Sequence, residues 1–127
     1  MDHKEPKVSL EKPFVDARGA IQPLVERAMG SALLITCKKG AVRANHYHKT
    51  DWHYAYLLSG AMEYYHRPTG STQKPEMLVV KSGEMVFTPP NVDHAMKFLE
   101  DTEFITLSRN TRDQASYEAD VVRITLI

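Results

Sequence analysis

The segment 40-GAVRANHYHKTDWHYAYLLSG-60 contains two β-rich runs on either side of the polar turn 49–52, and it holds three histidines. Side chains alternate between the two faces of an extended strand, so His46 and His48 project to the same side. A reversal of the chain through the turn places His53, the first residue of the next run, beside them. The segment therefore predicts two neighbouring strands with three imidazoles on one shared face.

The rest of the chain is divided by proline and glycine into pieces that are too short for ordinary helices. Runs rich in β-branched and aromatic residues lie between these breaks and predict short strands. Residues 109–120 form a polar stretch that suits a loop or one helical turn before the last strand. The pattern predicts a single all-β domain over residues 1–127, either a barrel or a sandwich. The strand-like runs are 31–38, 53–59, 61–67, 77–81, 85–88, 94–99, 103–108 and 121–127.

Charge and composition exclude several classes of partner. Sixteen basic and sixteen acidic side chains give a formal net charge of zero, so no overall field favours nucleic acid or an anionic membrane. No apolar run approaches the roughly 20 residues that a membrane helix needs. Met1 is followed by charged residues instead of an apolar signal sequence, and Cys37 is the single cysteine. These features predict a cytoplasmic protein with a small-molecule ligand.

A fourth histidine, His94, begins another predicted strand and completes a metal site if the fold brings it to the other three. A divalent ion requires several convergent neutral nitrogens at about 2.0–2.1 Å. Taken singly, a histidine on a strand is more often a half-buried residue with a hydrogen-bond partner than a metal ligand. His66 shares its predicted strand face with Tyr64, so the pattern allows it to line a pocket, although a core or solvated position is more usual. The metal hypothesis depends on convergence of the four.

Two segments, 40–60 and 83–98, resemble the two sequence motifs of the cupin superfamily. The resemblance implies a double-stranded β-helix, which is the small jelly-roll barrel of that superfamily. It also implies one divalent transition metal, and imidazole ligands leave zinc, iron, nickel, manganese and copper open. The implied ligands are His46, His48, His53 and His94, with His53 in place of the usual glutamate. The other matching positions are Gly40, Gly60, Gly83 and Pro89, while Asn91 replaces a glycine and Phe98 replaces an asparagine.

A narrower resemblance connects segments 14–26, 42–48 and 108–124 to the cupin-type epimerases and ketoisomerases of nucleotide-linked 4-keto-6-deoxyhexoses. It implies that His46 is a proton-abstracting base and that Arg43 binds the diphosphate of the substrate. A histidine bound to a metal is a poor base because its lone pair is engaged. The two resemblances therefore compete at His46.

Three aromatic or imidazole side chains complete the candidate site. Tyr64 is expected to act as a proton donor, because a phenol can protonate an enolate. Trp52, in the turn of the first motif, is expected to cover the mouth of the site or to contact a neighbouring subunit, and His66 is expected to contact substrate. The resemblance also implies a homodimer that covers strand edges near the N-terminus.

The leading hypothesis is a metal-binding cupin that isomerises or epimerises a nucleotide-linked ketosugar or a related carbohydrate of polysaccharide biosynthesis. The proposed chemistry removes a proton beside a carbonyl and stabilises the resulting enediolate. One alternative is a mononuclear-metal dioxygenase or lyase that acts on a small chelating substrate. The other is a non-catalytic module that binds a metal or a sugar. The fold alone does not choose among them, because one fold supports many chemistries.

Overall fold

The computed structural model describes residues 5–127 of the chain. Nearly all regular structure in this range is antiparallel β-sheet, which confirms the all-β prediction. The elements are β1 Phe14–Asp16, β2 Gly19–Ile21, β3 Ser31–Cys37, β4 Val42–His48, β5 His53–Ser59, β6 Ala61–Pro68, β7 Glu76–Lys81, β8 Met85–Thr88, β9 Val92–Phe98, β10 Thr102–Ser108, α1 Gln114–Asp120 and β11 Val121–Arg123.

Two larger sheets form the body of the molecule. One has the strand order β3-β10-β5-β8 and the other has the order β11-β4-β9-β6-β7. Consecutive strands along the chain often lie in different sheets, as in the jelly-roll architecture, so the predicted double-stranded β-helix is confirmed. Strand β5 pairs with both β8 and β10, and β9 pairs with both β4 and β6. These two central strands place His53 and His94 in the interior.

The core lies between the two sheets, where the inward-facing side chains of both sheets meet. Leu57 and Phe104 from the first sheet are fully buried with Met62, Tyr64 and Phe98 from the second. A second cluster covers the outer face of the four-stranded sheet, where Tyr54, Met85 and Phe87 pack against the N-terminal segment. The alternation of β5 thus sends His53 inward and Tyr54 outward.

Two local elements go beyond the prediction from the sequence, namely the hairpin of β1 and β2 and the helix α1. The hairpin of β1 and β2 was not predicted, because its strands have three residues each and are exposed on all of them. The polar stretch 109–120 ends in the seven-residue helix α1, whose N-cap Asp113 accepts a hydrogen bond from the backbone N–H of Ser116. No helix within residues 5–127 is long and apolar enough to cross a membrane.

The turn before β9 contains Asn91 with a φ of 58°, in the left-handed region. Asparagine tolerates this conformation better than most residues, so it serves where the motif has glycine. The backbone N–H of Asn91 donates to the carbonyl of His48 at 2.8 Å. This bond ties the start of β9 to the end of β4 and brings their histidines to the same end of the barrel.

Candidate active site

Four imidazole rings meet at the end of the barrel where β4, β5 and β9 come together. His46 lies directly opposite His94 in the pairing of β4 with β9, and their ring centroids are 4.7 Å apart. The ring of His48 is 4.8 Å from that of His46 and 5.7 Å from that of His94. His53 completes the group at 5.5 Å from His94 and 5.9 Å from His48. Residues from three strands therefore share one small volume.

Hydrogen bonds fix the ring orientation of two of these histidines. Nδ1 of His94 donates to the carbonyl oxygen of Val92 at 3.0 Å, and Nδ1 of His48 donates to Oδ2 of Asp120 at 3.2 Å. A carbonyl and an ionised carboxylate only accept, so the proton of each neutral ring lies on Nδ1. The lone pair of Nε2 is then left to face the cluster. This arrangement of an oriented imidazole with an outer partner is typical of metal-binding histidines.

The unpartnered nitrogens provide the test of whether a metal fits. Nε2 of His48, Nε2 of His94 and Nδ1 of His53 are buried without a hydrogen-bond partner among the described residues. Buried polar atoms without partners are costly, so their convergence calls for a ligand. Ligand atoms of His46, His48 and His94 lie within 4.8 Å of one another, while His53 stands outside this distance limit. The donor set fits a divalent transition metal, with His53 beside the central three.

All four imidazoles are held in the neutral form. Burial lowers the pKa of His46 to about 2 and that of His94 to about 4. Burial also lowers the pKa of His48, and it holds the pKa of His53 well below its usual value. The positive charge of Arg112 lowers the pKa of each of the four further. Neutral rings have the lone pairs that a metal requires.

Asp120, the last residue of α1, accepts hydrogen bonds from His48 and from the turn 49–52. Its Oδ1 accepts hydrogen bonds from the backbone N–H and the hydroxyl of Thr50, at 2.7 and 2.6 Å. Its Oδ2 accepts from the backbone N–H of Asp51 at 3.2 Å as well as from His48. Burial raises the pKa of Asp120, but the hydrogen bonds from Thr50, Asp51 and His48 outweigh burial and lower it. The ionised carboxylate thus fixes both the turn 49–52 and the ring of His48.

The histidine cluster opens into a cavity of about 340 Å³. His46 is half-buried, whereas the other three histidines are buried, so it is the imidazole with the best access to a ligand. Cationic and apolar side chains share the remaining wall, which suits a ligand with an anionic part. The lining residues other than the histidines are Leu33, Ile35, Val42, Arg43, Ala44, Met96, Phe104, Thr106, Arg112, Tyr117 and Arg123.

Arg43 reaches this cavity because β4 is bulged. Ala44 and Asn45 have φ values of 70° and 56°, and the register of β4 on β9 shifts between Ala44 and His46. Because of this shift, Arg43 lies opposite Met96 and His46 lies opposite His94. Met96 and His94 are two residues apart on β9 and therefore share its inward face, so Arg43 and His46 share the inward face of β4. In a regular strand they would face opposite sides. The Nε of Arg43 donates to Sγ of Cys37 at 2.9 Å, and its Nη2 donates to the carbonyl oxygen of Thr36 at 3.2 Å.

Sequence reasoning missed three cavity residues from the end of the chain. Arg112 precedes α1, Tyr117 lies within it and Arg123 ends β11. The ring of Tyr117 is 5.9 Å from that of His48 and 6.4 Å from that of His46. The available signal was the unusual density of charge in residues 109–123, which the strand pattern alone could not place beside β4.

Three of the sequence-predicted site residues lie outside the histidine cavity. Tyr64 is buried in the core, where its hydroxyl is 2.7 Å from Oγ1 of Thr88 and burial raises its pKa. His66 stacks on Tyr64 at 5.4 Å and lines a separate cavity of about 330 Å³. Trp52 packs on the outer face of the first sheet, with the guanidinium of Arg27 3.9 Å from its ring centroid. Their expected roles stay predictions, and the cavity geometry does not bring them to the histidines.

Comparisons with known proteins were made on the sequence and on the fold. The family model described as "Cupin domain" matches residues 33–108. None of the curated proteins matches the sequence. Several solved structures resemble the fold at low identity. The QdtA 3,4-ketoisomerase from Thermoanaerobacterium thermosaccharolyticum, in complex with TDP, has a TM-score of 0.75 and 20% identity, over 97% of this chain and 89% of that one.

Two further structures come from other bacteria. A 3,4-ketoisomerase from Helicobacter canadensis has a TM-score of 0.73 and 16% identity, over 97% of this chain and 91% of that one. The 3'-monoepimerase ChmJ from Streptomyces bikiniensis, in complex with dTDP-quinovose, has a TM-score of 0.70 and 16% identity, over 84% of this chain and 65% of that one. At these identities the likeness shows a shared fold.

Proposed function

The chain belongs to the cupin domain family, and from this premise we propose that it is a metal-binding enzyme that isomerises or epimerises a nucleotide-linked ketosugar. The observation that carries the proposal is the set of buried, unpartnered imidazole nitrogens at the base of a cavity lined by three arginines. The fold is similar to that of 3,4-ketoisomerases and of a 3'-monoepimerase whose structures hold TDP or dTDP-quinovose.

The residues that would hold the metal are His46, His48 and His94, with His53 as the fourth ligand. Bound there, a divalent ion would supply Lewis-acid charge that stabilises an enediolate oxygen. Neutral imidazoles add no negative charge, so the site favours an anionic ligand. The Asp120 carboxylate keeps the proton of His48 on Nδ1, away from the cluster.

The arginines and Tyr117 would act on the rest of the substrate. The guanidinium groups of Arg43, Arg112 and Arg123 have hydrogen-bond donors and no acceptor, so they suit anionic groups. With the imidazole lone pairs engaged, Tyr117 is the phenol among the described cavity residues that is placed to move a proton at the reacting carbon. Ile35 and Phe104 give this cavity part of its apolar wall.

A metal-independent version of the same reaction is the second candidate. The bulge at Asn45 puts Arg43 on the same inward face as His46. In this version His46, the half-buried imidazole, accepts the proton and Arg43 binds the diphosphate. His48 would then stay a neutral neighbour held by Asp120.

Elemental analysis and deuterium exchange test the proposal together. The purified protein is incubated in D₂O with TDP-4-keto-6-deoxyglucose, which is the ligand in a further QdtA structure, and NMR follows the sugar protons. We expect one equivalent of metal, loss of a proton signal beside the carbonyl, and loss of that exchange after chelation. Exchange that survives chelation favours the metal-independent candidate. Oxygen uptake without proton exchange would instead support the oxygenase alternative, and binding without exchange would support a non-catalytic module.

We also propose that the protein forms a homodimer through β3. This strand lies at the edge of its sheet, is seven residues long and carries no charged residue. Leu34, in the middle of it, is 64% exposed. An uncharged edge strand invites pairing with another chain, and a second copy supplies a matching edge. Light scattering should give twice the monomer mass, and Leu34→Lys should return the protein to a monomer.

A further inference from the structure

Arg112 differs from the other two arginines of the cavity because its Nε is buried without a hydrogen-bond partner among the described residues. We infer that the Nε–H of Arg112 donates a hydrogen bond to an anionic oxygen of the ligand, next to the position of the metal. The inference deepens the proposed function and rests on it, because it names the class of ligand that the same cavity selects. Nothing in the sequence pattern had marked this residue.

The guanidinium of Arg112 is held in a fixed direction. Its Nη2 lies 3.2 Å from Oδ2 of Asp51 and donates to Oγ of Ser108 at 2.9 Å. Both partners are buried, and its Cζ lies 5.2 Å from the ring centroid of Tyr117. The backbone N–H of Asn110 occupies the other oxygen of Asp51 at 2.9 Å. These contacts leave the head group little freedom to turn away from the cavity.

The Nε of Arg112 is buried and has no hydrogen-bond partner within residues 5–127. Leaving such a donor buried and unsatisfied is costly, and more so when the group is charged. Because Arg112 lines the histidine cavity, a ligand oxygen is the acceptor that would satisfy it. The unpaired donor is thus explained by a partner that binds in the cavity.

The other two arginines of the cavity are paired differently. Arg123 makes two hydrogen bonds with the carboxylate of Glu118, at 2.8 and 2.9 Å. Arg43 uses its Nε on Cys37 and its Nη2 on a backbone carbonyl. Among these three, Arg112 is the arginine with a buried donor that lacks a partner.

Electrostatics define the ligand class. Arg112 lines the same cavity as all four histidines, and its charge acts on each of them. A metal bound to neutral imidazoles would add a second cation nearby, and an anion between the two cations relieves their repulsion. The ligand expected is a small molecule with two adjacent oxygens, at least one of them anionic. The enediolate of an α-hydroxyketone and the carboxylate of a 2-oxo acid belong to this class.

Isothermal titration with oxalate and its neutral isostere oxamide tests the assignment on metal-loaded and metal-free protein. The variants are Arg112→Lys, which keeps a charge beside Asp51, and Arg112→Gln. Arg109→Gln is the matched control, since Arg109 carries the same charge three residues earlier and lies outside the cavity. Melting temperature and metal content are measured for each variant.

We expect the wild-type protein to prefer oxalate over oxamide, and both Arg112 variants to lose about tenfold or more in oxalate affinity, as for a hydrogen bond to a charged group. Arg109→Gln should stay within twofold of the wild type. Metal affinity should not fall in Arg112→Gln, because a like charge has been removed. A structural role alone would instead lower the melting temperature, metal content and oxalate affinity together.

Two results would overturn the inference. One is oxalate affinity within twofold of the wild type in folded Arg112→Lys, and the other is equal binding of oxalate and oxamide by the wild type. If the wild type takes up no metal, the metal-binding proposal fails separately. The inference is then decided on the metal-free protein, where a tenfold loss in the Arg112 variants supports it and equal affinity overturns it.

Discussion

His46 and His66 occupy equivalent positions on the two strands that flank β9, yet they lie in different surroundings. Each is directly opposite His94, His46 on β4 and His66 on β6. The ring of His46 is 4.7 Å from that of His94 and lines the cavity of the four histidines. His66 stacks on Tyr64 and its Nε2 lies 3.9 Å from a carboxylate oxygen of Glu76. Register alone did not decide which histidine joins the site.

The difference comes from the elements that face each histidine. His46 faces the end of the barrel to which α1 and β11 bring Arg112 and Arg123, and the bulge of β4 turns Arg43 toward it. His66 lies instead on the side of β7, where Glu76 supplies a carboxylate. Burial lowers the pKa of both imidazoles; Arg112 and Arg123 lower that of His46 further, whereas Glu76 and Glu5 partly offset the effect of burial at His66. The two flanks of β9 thus differ in surrounding charge, and the flank of His46 is the one that suits the proposed metal site.

Replacing the two flanking histidines by glutamine, one at a time, should give the largest difference in metal affinity. His46→Gln removes a ligand atom from the cluster, so we expect metal affinity to fall by more than about 100-fold, beyond the roughly 10–100-fold typical of losing an outer partner. His66→Gln should stay within about twofold because it touches another cavity. Competition with a chromogenic chelator measures both. Full metal retention in His46→Gln with loss of proton exchange would identify His46 as the base.

Asp120→Asn should weaken the metal site without removing a ligand. The amide nitrogen of asparagine would face the Nδ1–H of His48, so the imidazole proton moves to Nε2 and blocks its lone pair. A loss of about 10–100-fold in metal affinity is expected. Asp113→Asn is the matched control, because it changes the other end of α1 and leaves His48 untouched. Equal metal affinity in Asp120→Asn and the wild type would show that the carboxylate does not position the ring.

An acid titration of the metal-free protein should show how strongly burial lowers the pKa values of the histidines in the cluster. Burial holds the pKa of His94 at about 4 and that of His46 at about 2, against 6.5 in the unfolded chain. The unfolded state therefore binds more protons below pH 6.5, and stability falls as the pH drops from 6.5 toward 4. His94 alone accounts for a loss of about 2 kcal/mol by pH 5.

Urea denaturation at each pH measures that loss, and NMR of the imidazole protons reports His46 and His66 separately. His66 should titrate above His46, since burial lowers its pKa but Glu76 and Glu5 raise it. Saturation with metal should flatten the dependence above the pH at which the ion is released. A stability curve that is flat between pH 6.5 and 5 in the metal-free protein would contradict this account.

The smallest effect is expected on the free energy of unfolding, for substitutions at the bulge that distinguishes β4 from β6. Asn45 has a φ of 56° and its Oδ1 accepts hydrogen bonds from the backbone N–H groups of Leu126 and Ile127 at 2.9 and 3.0 Å. Asn45→Val places a β-branched residue in the left-handed region, at a cost of about 1–2 kcal/mol. Asn45→Asp keeps the hydrogen-bond acceptor and tolerates the left-handed conformation, so it should lose less stability than Asn45→Val. Chemical denaturation compares the two, and equal losses would argue against strain at this residue.

Much of the fold followed from local sequence pattern. The strands that carry the core alternate between apolar and polar residues or form short buried runs, and glycine and proline mark their ends, so β3 and β5 to β10 were predictable. The convergence of His46, His48 and His53 followed from strand alternation and one turn. His94 required the register of β9 on β4, which only the resemblance to the cupin motifs suggested.

The features of the candidate site that the sequence pattern did not predict depend on contacts between residues far apart in the chain. Arg112 and Asp120 lie in a polar stretch without a periodic pattern, and their roles come from hydrogen bonds to Asp51, Thr50 and His48. The bulge at Asn45 places Arg43 on the same face as His46, whereas a regular strand would place them on opposite faces, because a single extra residue changes the face of every side chain before it. Sequence periodicity assumes regular strands, so it could not detect this change.

The long separation between Asp120 and the turn that it holds has a consequence for the order of biosynthesis. Asp120 lies 72 positions after His48 and 70 after Thr50. A ribosome has already released the three histidines of residues 46–53 well before it makes this carboxylate. Contacts of such high sequence separation form late, since the closure entropy of the intervening loop must first be overcome. The imidazole of His48 is therefore set in its final orientation only after synthesis has passed α1, so the proposed metal site reaches its native geometry late in the maturation of the chain.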